Sequence, residues 1–379
     1  MKPAESFEFH TQEQEVLFGC GTLNRAAEVV DRLGGKRVLL VCTERARASP
    51  EGKRLQDLLA DRLVGSFTGI RTHVVLDTVE AVFQSAKEAK ADFVVSFGGG
   101  SALGTGKALG LWWIREAEAR KKTFGRAPHL CIPTTYSGTE MTIIAGQRDE
   151  KLGRKRPGRD PRILPLAVIY DPEATMSLPP RVTASSAMNA LAHCAEGLYA
   201  TVADPVGLAA AKDAAALIGR NLLRCVRDGR DLGARTQMLK AGFLAGFTVH
   251  HTGIGLHHGI CHVLGGRYGL EHGIANSIIL PHALRYNLDA TASQQAELAR
   301  AMGVAGVGEK DEEAGGRGID FIAKLREESA LPGRLLEAGV PESDIPSLAE
   351  EAMESRAVKA NPKPISEPAQ VEEVLRAAF

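Results

Sequence analysis

The histidines of this chain are concentrated in one stretch of its second half. Seven of the eleven histidines in the 379-residue sequence lie there, namely His250, His251, His257, His258, His262, His272 and His282. Histidine binds metal ions through a neutral ring nitrogen and exchanges protons near neutral pH. The stretch therefore predicts a site that binds a metal ion or transfers protons.

Residue spacing brings part of this stretch together with an earlier segment. Asn189 and His193 stand four positions apart in an alanine-rich stretch, which places both on one face of a helix. His258 and His262 have the same spacing, and His272 follows a Gly-Gly break that lets the chain fold back. Three imidazoles, those of His193, His258 and His272, would suit a divalent metal. The site lacks a carboxylate, and the Asn189 amide is a weak donor, which weakens the case for a metal without removing it.

A second candidate site is a glycine bend that follows an apolar run at 92–97. This bend consists of Gly98, Gly99, Gly100 and Ser101. Glycines let the backbone approach a ligand closely, and the start of the next helix attracts an anion. Ser101 is expected to cap that helix. We expect the bend to bind a pyrophosphate, although a glycine-rich turn without a ligand is the alternative. Neither G-x-G-x-x-G nor the P-loop pattern matches, since Ala108 follows Lys107.

Small polar residues also follow the next apolar run. Residues 133–140 have the sequence PTTYSGTE, which we call the Thr-rich turn. Two such turns at neighbouring strand ends are predicted to hold two parts of one dinucleotide. Taken alone, this composition is better explained by an ordinary Ser/Thr turn.

The elements that must position these residues alternate in the first half of the chain. Apolar runs at 37–42, 72–77, 92–97, 129–133 and 166–170 predict strands that are buried on both faces. Helical patterns separate these runs. Such alternation predicts βαβ units and a parallel sheet, with both turns at the carboxyl ends of its strands.

The strand patterns stop at Pro180. Alanine- and leucine-rich stretches follow, among them predicted helices at 184–203 and 206–226. We therefore place an α/β domain at 1–180 and a helical domain at 181–379.

The charges of the chain balance, with 46 Lys and Arg residues against 46 Asp and Glu residues. A protein that neutralises nucleic-acid phosphates would carry a basic excess, so we do not expect a nucleic-acid partner. Two charged segments, 146–162 and 306–318, are predicted as surface loops. Some basic residues of the first segment have an alternative role, attraction of an anionic cofactor or a dicarboxylate.

The six cysteines are far apart and show no C-x-x-C pair, which is typical of free thiols in a reducing compartment. The N-terminus has no apolar signal core, and no run of about 18 apolar residues occurs. We expect a cytoplasmic protein with no membrane partner.

Several motifs together resemble one known family. They are GGGSALGTGK, PTTYSGTE, VIYDP, TASSAMNALAHCAEGLYA and GLHHGICHVLGGRYGLEHGIANSIILPH. In this order they resemble the iron-containing (group III) alcohol dehydrogenase superfamily, from about residue 10 to the C-terminus. PTTYSGTEMT, MNALAHCAEGLYA, GLHHGICHVLGG and the NPKP sequence at 361–364 look like its maleylacetate reductase branch.

The resemblance implies a fold, partners and site residues. It implies a Rossmann-like parallel-sheet domain, a C-terminal helical domain and an active-site cleft between them, an architecture shared with dehydroquinate synthase. It also implies a homodimer that binds NAD(H) or NADP(H). The cofactor would lie on the glycine bend and on three residues of the Thr-rich turn, namely Thr134, Thr135 and Tyr136. Nothing in the sequence decides between NAD and NADP.

The same resemblance bears on the metal. Metal-binding members carry Asp at the position of Asn189, followed by histidines at the positions of His193, His258 and His272. Maleylacetate reductases are similar to this chain in accepting Asn there and are thought to work without metal. A divalent metal is therefore expected not to be required, and the predicted catalytic residues are Asn189, His193, His258, His262 and His272.

These residues predict an NAD(P)H-dependent reductase that transfers hydride to an activated C=C or C=O, with maleylacetate, a dicarboxylate, as the expected substrate and 3-oxoadipate as the product. Imidazoles would stabilise developing negative charge and donate the proton. Three alternatives stay open: a metal-dependent alcohol or aldehyde dehydrogenase, a non-redox lyase or synthase on the same fold, and a binding protein without activity. Arg267 is a candidate partner for a substrate carboxylate.

Overall fold

The structure is a computed structural model that describes Phe9, Thr11 and residues 13–379, apart from the side chains at positions 155 and 157. Within this part of the chain, no helix is both long enough and apolar enough to cross a membrane.

A parallel sheet occupies the first half of the chain. Its strands are β1 (Glu15–Phe18), β2 (Val38–Cys42), β3 (Leu63–Phe67), β4 (Phe93–Gly98), β5 (His129–Pro133) and β8 (Ala167–Tyr170). They are arranged in the order β1-β8-β5-β4-β2-β3, and each neighbouring pair is parallel. A separate antiparallel pair is formed by β6 (Ile144–Asp149) and β7 (Arg154–Arg159).

Both faces of the central strands are buried, which is why their sequences are continuous apolar runs. Successive side chains of a strand point to opposite faces. Accordingly, Leu40 of β2 packs into one apolar cluster, whereas its neighbours Leu39 and Val41 pack into another. The helices of this half are α1 (Ala26–Arg32), α2 (Glu44–Ala48), α3 (Pro50–Leu59), α4 (Leu76–Glu88) and α5 (Gly100–Ala119).

The second half is helical. Its helices are α6 (Pro180–Tyr199), α7 (Pro205–Arg227), α8 (Leu232–His251), α9 (Leu256–Arg267), α10 (His272–Ala301), α11 (Asp311–Glu328), α12 (Ile345–Met353), α13 (Arg356–Lys359) and α14 (Pro368–Ala377). Short 3-10 turns lie at Thr22–Arg25, Ala60–Arg62, Thr139–Met141, Pro161–Ile163, Pro172–Thr175 and Glu342–Asp344. From Thr183 onward, α6 is buried at nearly every position, and its buried residues include the polar side chains of Asn189, His193 and Glu196. It lies at the centre of this half.

The predicted fold class is confirmed, because a parallel sheet in the first half is followed by helices in the second. Four of the predicted strands and both predicted helices are present within a few residues of their expected bounds. The domain boundary near Pro180 stays a prediction, although α6 begins at that residue.

The predicted strand at 72–77 is wrong. His73 and Val74 have positive φ values of 66° and 52°, which ends any extended run, and α4 begins at Leu76. Val74 and Val75 are apolar because this turn is buried, not because it belongs to the sheet. Two strands of the sheet, β1 and β3, were not predicted. Both are short edge strands that are only partly buried, so their sequences EVLF and LVGSF do not form continuous apolar runs.

Both predicted surface loops are also corrected. The segment 146–162 contains most of the hairpin of β6 and β7, in which a row of basic residues lies on paired strands. The segment 306–318 contains the start of α11. Three acidic residues in its first turn, Asp311, Glu312 and Glu313, favour a helix there because they complement its dipole.

Candidate functional site

The glycine bend joins the end of β4 to the start of α5. Gly98 has φ 146°, a backbone conformation that a residue with a side chain rarely adopts. The helix begins at Gly100, and its N-cap is Gly99, which has no side chain to cap it. Ser101 therefore does not cap the helix as predicted but lies inside its first turn. The backbone N–H groups at the start of α5 have no capping side chain, as an anion site requires.

Two hydroxyl groups of the Thr-rich turn lie against this bend. A Cβ atom on Gly99 would lie 2.9 Å from Cγ2 of Thr135, and a Cβ atom on Gly100 would lie 3.2 Å from Oγ of Ser137. Within the described residues, the hydroxyl oxygens of Thr135 and Ser137 are buried and have no hydrogen-bond partner. A buried hydroxyl without a partner is costly, so these two groups fit the phosphates of a dinucleotide.

The other predicted cofactor contacts have different surroundings. The backbone N–H of Thr134 donates to the carbonyl oxygen of Gly98 at 2.9 Å, which ties the two turns together. Tyr136 is fully buried, and its hydroxyl accepts a hydrogen bond from Arg235 of α8 at 3.0 Å. The Tyr136 side chain therefore joins the sheet half to the helical half.

Lys107 lies on the second turn of α5 and is fully buried. Its Nζ donates to the carbonyl oxygen of Thr139 at 2.7 Å and to the hydroxyl of Thr142 at 2.8 Å. Burial lowers the pKa of this amine to about 7, although the nearby Cys131 and Glu140 act in the opposite direction. Lys107 thus holds the far end of the Thr-rich turn against α5.

Helix α6 brings Asn189 to the Thr-rich turn. The amide nitrogen of Asn189 donates to the carbonyl oxygen of Ser137 at 3.1 Å, and its amide oxygen accepts from Asn276 at 3.2 Å. His193 follows one helical turn later, and its buried Nδ1 has no hydrogen-bond partner within the described chain. Burial and the neighbouring His258 hold the pKa of His193 well below its usual value, so this imidazole is neutral at pH 7.

Helix α9 carries His257 and His258 beside a carboxylate from α6. Glu196 is fully buried, and its Oε2 accepts a hydrogen bond from Nδ1 of His258. Burial alone would raise the pKa of Glu196, but His258 and His257 lower it, so the carboxylate is ionised. Burial opposes a charge on His257, yet Cys261 and Glu196 raise its pKa. A carboxylate bound to one ring nitrogen fixes the orientation of an imidazole and directs its other nitrogen away.

The predicted imidazoles come together. The ring centres of His193 and His258 are 5.0 Å apart, and His258 lies 5.8 Å from His272 at the start of α10. His262 completes the group, 6.1 Å from His258 and 5.7 Å from His272. The remaining histidines of the stretch have other neighbours: His251 lies 3.6 Å from Asp204, His250 contacts His251, and His282 lines a surface pocket.

Two of the ring-centre separations are compatible with imidazoles around one divalent metal. Imidazoles that share one ion at about 2.1 Å have ring centres roughly 5 Å apart, which is close to the two separations that involve His258. Within the described residues, the donor atoms that lie within 4.8 Å of one another belong to Glu196, His257 and His258. Because Glu196 already accepts a hydrogen bond from His258, we assign it the role of orienting this imidazole and not that of a metal ligand. The prediction that the site lacks a carboxylate is therefore wrong: Glu196 belongs to the group of close donor atoms, whereas His193 and His272 do not.

Sequence reasoning missed Glu196, Ser137 and Asn276. Glu196 follows His193 by three positions, so a search for polar residues on the same helix face would have found it. Ser137 lies in the predicted Thr-rich turn but was not singled out there. Its contact with Asn189, like that of Asn276, joins distant parts of the chain and has no local signal. Arg267, the candidate for a substrate carboxylate, instead binds Ser347 at 2.7 Å and Asp344 at 3.3 Å.

Two family models match the chain. The model "Iron-containing alcohol dehydrogenase" matches residues 13–172, and the model "Fe-containing alcohol dehydrogenase family, C-terminal" matches residues 183–379. Among the relatives, maleylacetate reductase of Burkholderia cepacia is 38% identical over 361 residues, which cover 95% of this chain and 94% of the relative.

Solved structures have the same architecture. Maleylacetate reductase of Rhizobium sp. is 31% identical with a TM-score of 0.83, and the alignment covers 100% of this chain and 99% of that one. A 1,3-propanediol oxidoreductase is 29% identical with a TM-score of 0.89, covering 96% of this chain and 98% of that one. Both agree with the arrangement of sheet and helices described above.

Proposed function

Because this chain belongs to the iron-containing alcohol dehydrogenase family, we propose that it is the member that reduces maleylacetate to 3-oxoadipate with NADH or NADPH. The family confirms the predicted enzyme class, an NAD(P)-dependent oxidoreductase. The name of the relatives that are 38% and 34% identical over most of the chain supports the substrate.

One series of contacts carries the proposal. The Gly100 backbone lies against the Ser137 hydroxyl, the Ser137 carbonyl accepts from Asn189, and His193 follows Asn189 by one helical turn. These contacts connect the glycine bend of the sheet half to the imidazoles of the helical half. A cofactor bound on the bend would therefore have its reactive end near residues that handle protons.

The glycine bend, Thr135 and Ser137 would hold the diphosphate of the nicotinamide nucleotide. When bound, the nucleotide supplies the hydride, and the protein supplies orientation and electrostatics. The two buried hydroxyls and the uncapped start of α5 are the donors that this group would use.

Reduction of a conjugated C=C places hydride on one carbon and a proton on its neighbour, while negative charge develops on the conjugated oxygen. His193 is neutral at pH 7, because burial and His258 hold its pKa low, so it is a poor general acid. We assign the proton transfer to His258, His262 and His272, whose imidazole rings lie close to one another. If a divalent metal is bound, His193, His258 and His272 would hold it, and it would polarise the substrate carbonyl oxygen.

The test is a substrate assay with purified protein and both nucleotides, followed at the nicotinamide absorbance band. We expect one NADH or NADPH to be oxidised for each maleylacetate added. The variant His258→Ala should reduce kcat at least 100-fold, within the range for loss of a general acid. Turnover of alcohols or aldehydes but not maleylacetate would overturn the substrate. Product formation without net nucleotide oxidation would indicate a lyase or synthase, and no nucleotide binding would indicate an inactive binding protein.

A second candidate, a metal-dependent alcohol dehydrogenase, is favoured by the two close ring pairs that His258 makes, with His193 and with His272. Metal analysis of the purified protein, with activity measured before and after chelation, separates the two functions. Loss of activity that iron or zinc restores would establish the metal as a cofactor. Full activity after complete chelation would establish the metal-free reaction.

We also propose that the chain forms a homodimer. Strand β1 lies at the edge of the sheet, and its Val16 and Phe18 are exposed, at 37% and 38%. Apolar side chains on an open strand edge favour pairing with another chain. Sedimentation of the wild type and of Phe18→Lys tests this, with a monomeric wild type as the contrary result.

A further inference from the structure

The first turn of α9, which carries His257 and His258, begins without a cap of its own. A helix start leaves backbone N–H groups without partners inside the helix. The N-cap residue is Gly255, which has no side chain that could accept from them. The partners therefore come from other parts of the chain.

Two buried side chains supply these partners. Oε1 of Glu196 accepts from the backbone N–H of Gly255 at 2.9 Å and from that of His257 at 3.1 Å. Oδ1 of Asn361 accepts from the backbone N–H of Leu256 at 3.2 Å. Three successive N–H groups are thus held by two residues, one from α6 and one from the C-terminal segment.

Asn361 is itself fixed in place. It belongs to the NPKP sequence at 361–364, for which the proposed reaction has no other use. Its amide nitrogen donates to Oδ1 of Asn287 at 2.7 Å and to the carbonyl oxygen of Lys363 at 2.8 Å, and Asn287 donates back to Oδ1 at 3.0 Å. Both its amide oxygen and its amide nitrogen are hydrogen-bonded, and the residue is 6% exposed. An asparagine so fully bonded defines the position of what it touches.

We propose that Asn361 is a positioning residue, which acts with Glu196 to fix the first turn of α9 and thereby the orientation of the His258 imidazole. Glu196 binds the backbone of this turn through one oxygen and the His258 ring through the other. A shift of the turn therefore changes the distance between the carboxylate and the ring. Misplacement of a catalytic group by about 1 Å can cost 100-fold in rate. The kinetic part of this inference rests on the proposed function.

The test compares Asn361→Ala with Asn221→Ala. Asn221 is also a buried asparagine, 4% exposed, and it donates to the Leu217 carbonyl of α7. We expect both variants to lose thermal stability, but only Asn361→Ala to lower kcat by 10- to 100-fold, with the KM for the nucleotide within twofold of the wild type. An equal change of kcat in both variants would overturn the proposal.

A second pair of variants reaches the same turn without removing a hydrogen-bonding side chain. A Cβ atom on Gly255 would lie 3.0 Å from Oδ1 of Asn361 and 3.1 Å from Oε1 of Glu196, whereas one on Gly253 would lie 3.5 Å from its nearest neighbour, Cβ of Ala200. Gly255→Ala should therefore lower kcat at least tenfold, and Gly253→Ala should leave it unchanged. This pair decides the question even if Asn361→Ala fails to fold. Equal kcat values for Gly255→Ala and the wild type would contradict the proposal.

Histidine ring signals give a measurement that needs no substrate. In protein labelled with ¹⁵N-histidine, we expect Asn361→Ala and Gly255→Ala to move the ring signals of two histidines, which His257→Gln and His258→Gln assign. Asn221→Ala and Gly253→Ala should leave these signals in place. Unmoved signals would overturn the positioning role even if maleylacetate is reduced. Moved signals in a protein that does not reduce maleylacetate would keep the positioning role and reject only the proposed function.

Discussion

Helices α5 and α9 both begin after a glycine that has no side chain to cap them, yet the two helix starts are completed in opposite ways. At α5, the adjacent hydroxyls of Thr135 and Ser137 are buried without a hydrogen-bond partner in the described structure. At α9, Glu196 and Asn361 hold three successive N–H groups. The same local signal therefore gives the proposed anion site in one place and a fixed support for the proposed catalytic side chains in the other. Residues distant in sequence make the difference.

The largest expected effect comes from closing the open helix start with Gly99→Val. Gly99 has an extended backbone that any residue can adopt, so the change acts through space and not through strain. Even one Cβ atom would lie 2.9 Å from Thr135. We expect the Kd of NADH and NADPH to rise roughly 100-fold, about 2.8 kcal/mol, in a fluorescence titration. Gly125→Ala is the control, since a Cβ atom there has no neighbour within 4 Å. Wild-type affinity in Gly99→Val would place the cofactor elsewhere.

The next effect comes from loosening the fixed helix start with Glu196→Gln. The glutamine oxygen can still accept from the α9 backbone, but the amide nitrogen cannot accept from Nδ1 of His258. We expect kcat to fall 10- to 100-fold, the range for removal of a group that orients a functional imidazole, with an unchanged Kd for NADH. Asp204→Asn makes the same chemical change at the buried cap of α7 and should leave kcat unaltered. A fall in nucleotide affinity without a fall in kcat would reverse the roles assigned to the two helix starts.

The sequence was sufficient to predict those parts of the molecule that depend on neighbouring residues. Runs such as 37–42 and 92–97 are continuous and apolar because both faces of their strands are buried. The run at 72–77 has a similar composition, but it consists of a turn and the start of α4, in which Val74 and Val75 are buried. A Cβ atom on Gly104 would lie 2.8 Å from Val74. Composition cannot distinguish a buried strand from such a turn, because the apolar residues of both are apolar for the same reason, their burial.

The candidate site shows the same limit. The imidazoles of His193, His258, His262 and His272 were predicted from their spacing, and the structure brings them together. The roles of Ser137 and Asn361 were not predicted, because each acts on a helix start far away in sequence. A prediction from local pattern identifies groups that can do chemistry, whereas their support depends on the tertiary structure.

A smaller effect, on the free energy of unfolding, is expected from Lys107, which lies in the same helix as the open start of α5. Burial lowers its pKa from the ordinary lysine value of 10.5 to about 7 in the folded protein, so between these values the unfolded chain binds a proton that the folded chain does not. Stability then rises with pH, by at most about 1.4 kcal/mol per pH unit from this group. Relative to Lys107→Met, the wild type should gain about 1 kcal/mol per pH unit in chemical denaturation between about pH 8 and 9.5. Parallel pH dependences would show that Lys107 keeps its charge when folded.

The smallest expected effect, on nucleotide affinity, distinguishes the hydroxyl of Ser137 at the open helix start from a buried hydroxyl elsewhere in the protein. Ser137 and Ser329 both have buried hydroxyls without a hydrogen-bond partner among the described residues, but only Ser137 lies against the glycine bend. Removal of such a hydroxyl relieves a desolvation cost, so Ser137→Ala and Ser329→Ala should both unfold at a slightly higher temperature than the wild type. Only Ser137→Ala should also weaken NADH binding, about fivefold, because one hydrogen bond contributes about 1 kcal/mol. Opposite signs for stability and affinity at Ser137 would mark its hydroxyl as a cofactor donor. Equal affinities in the two variants would leave the bend to bind the nucleotide through its backbone alone.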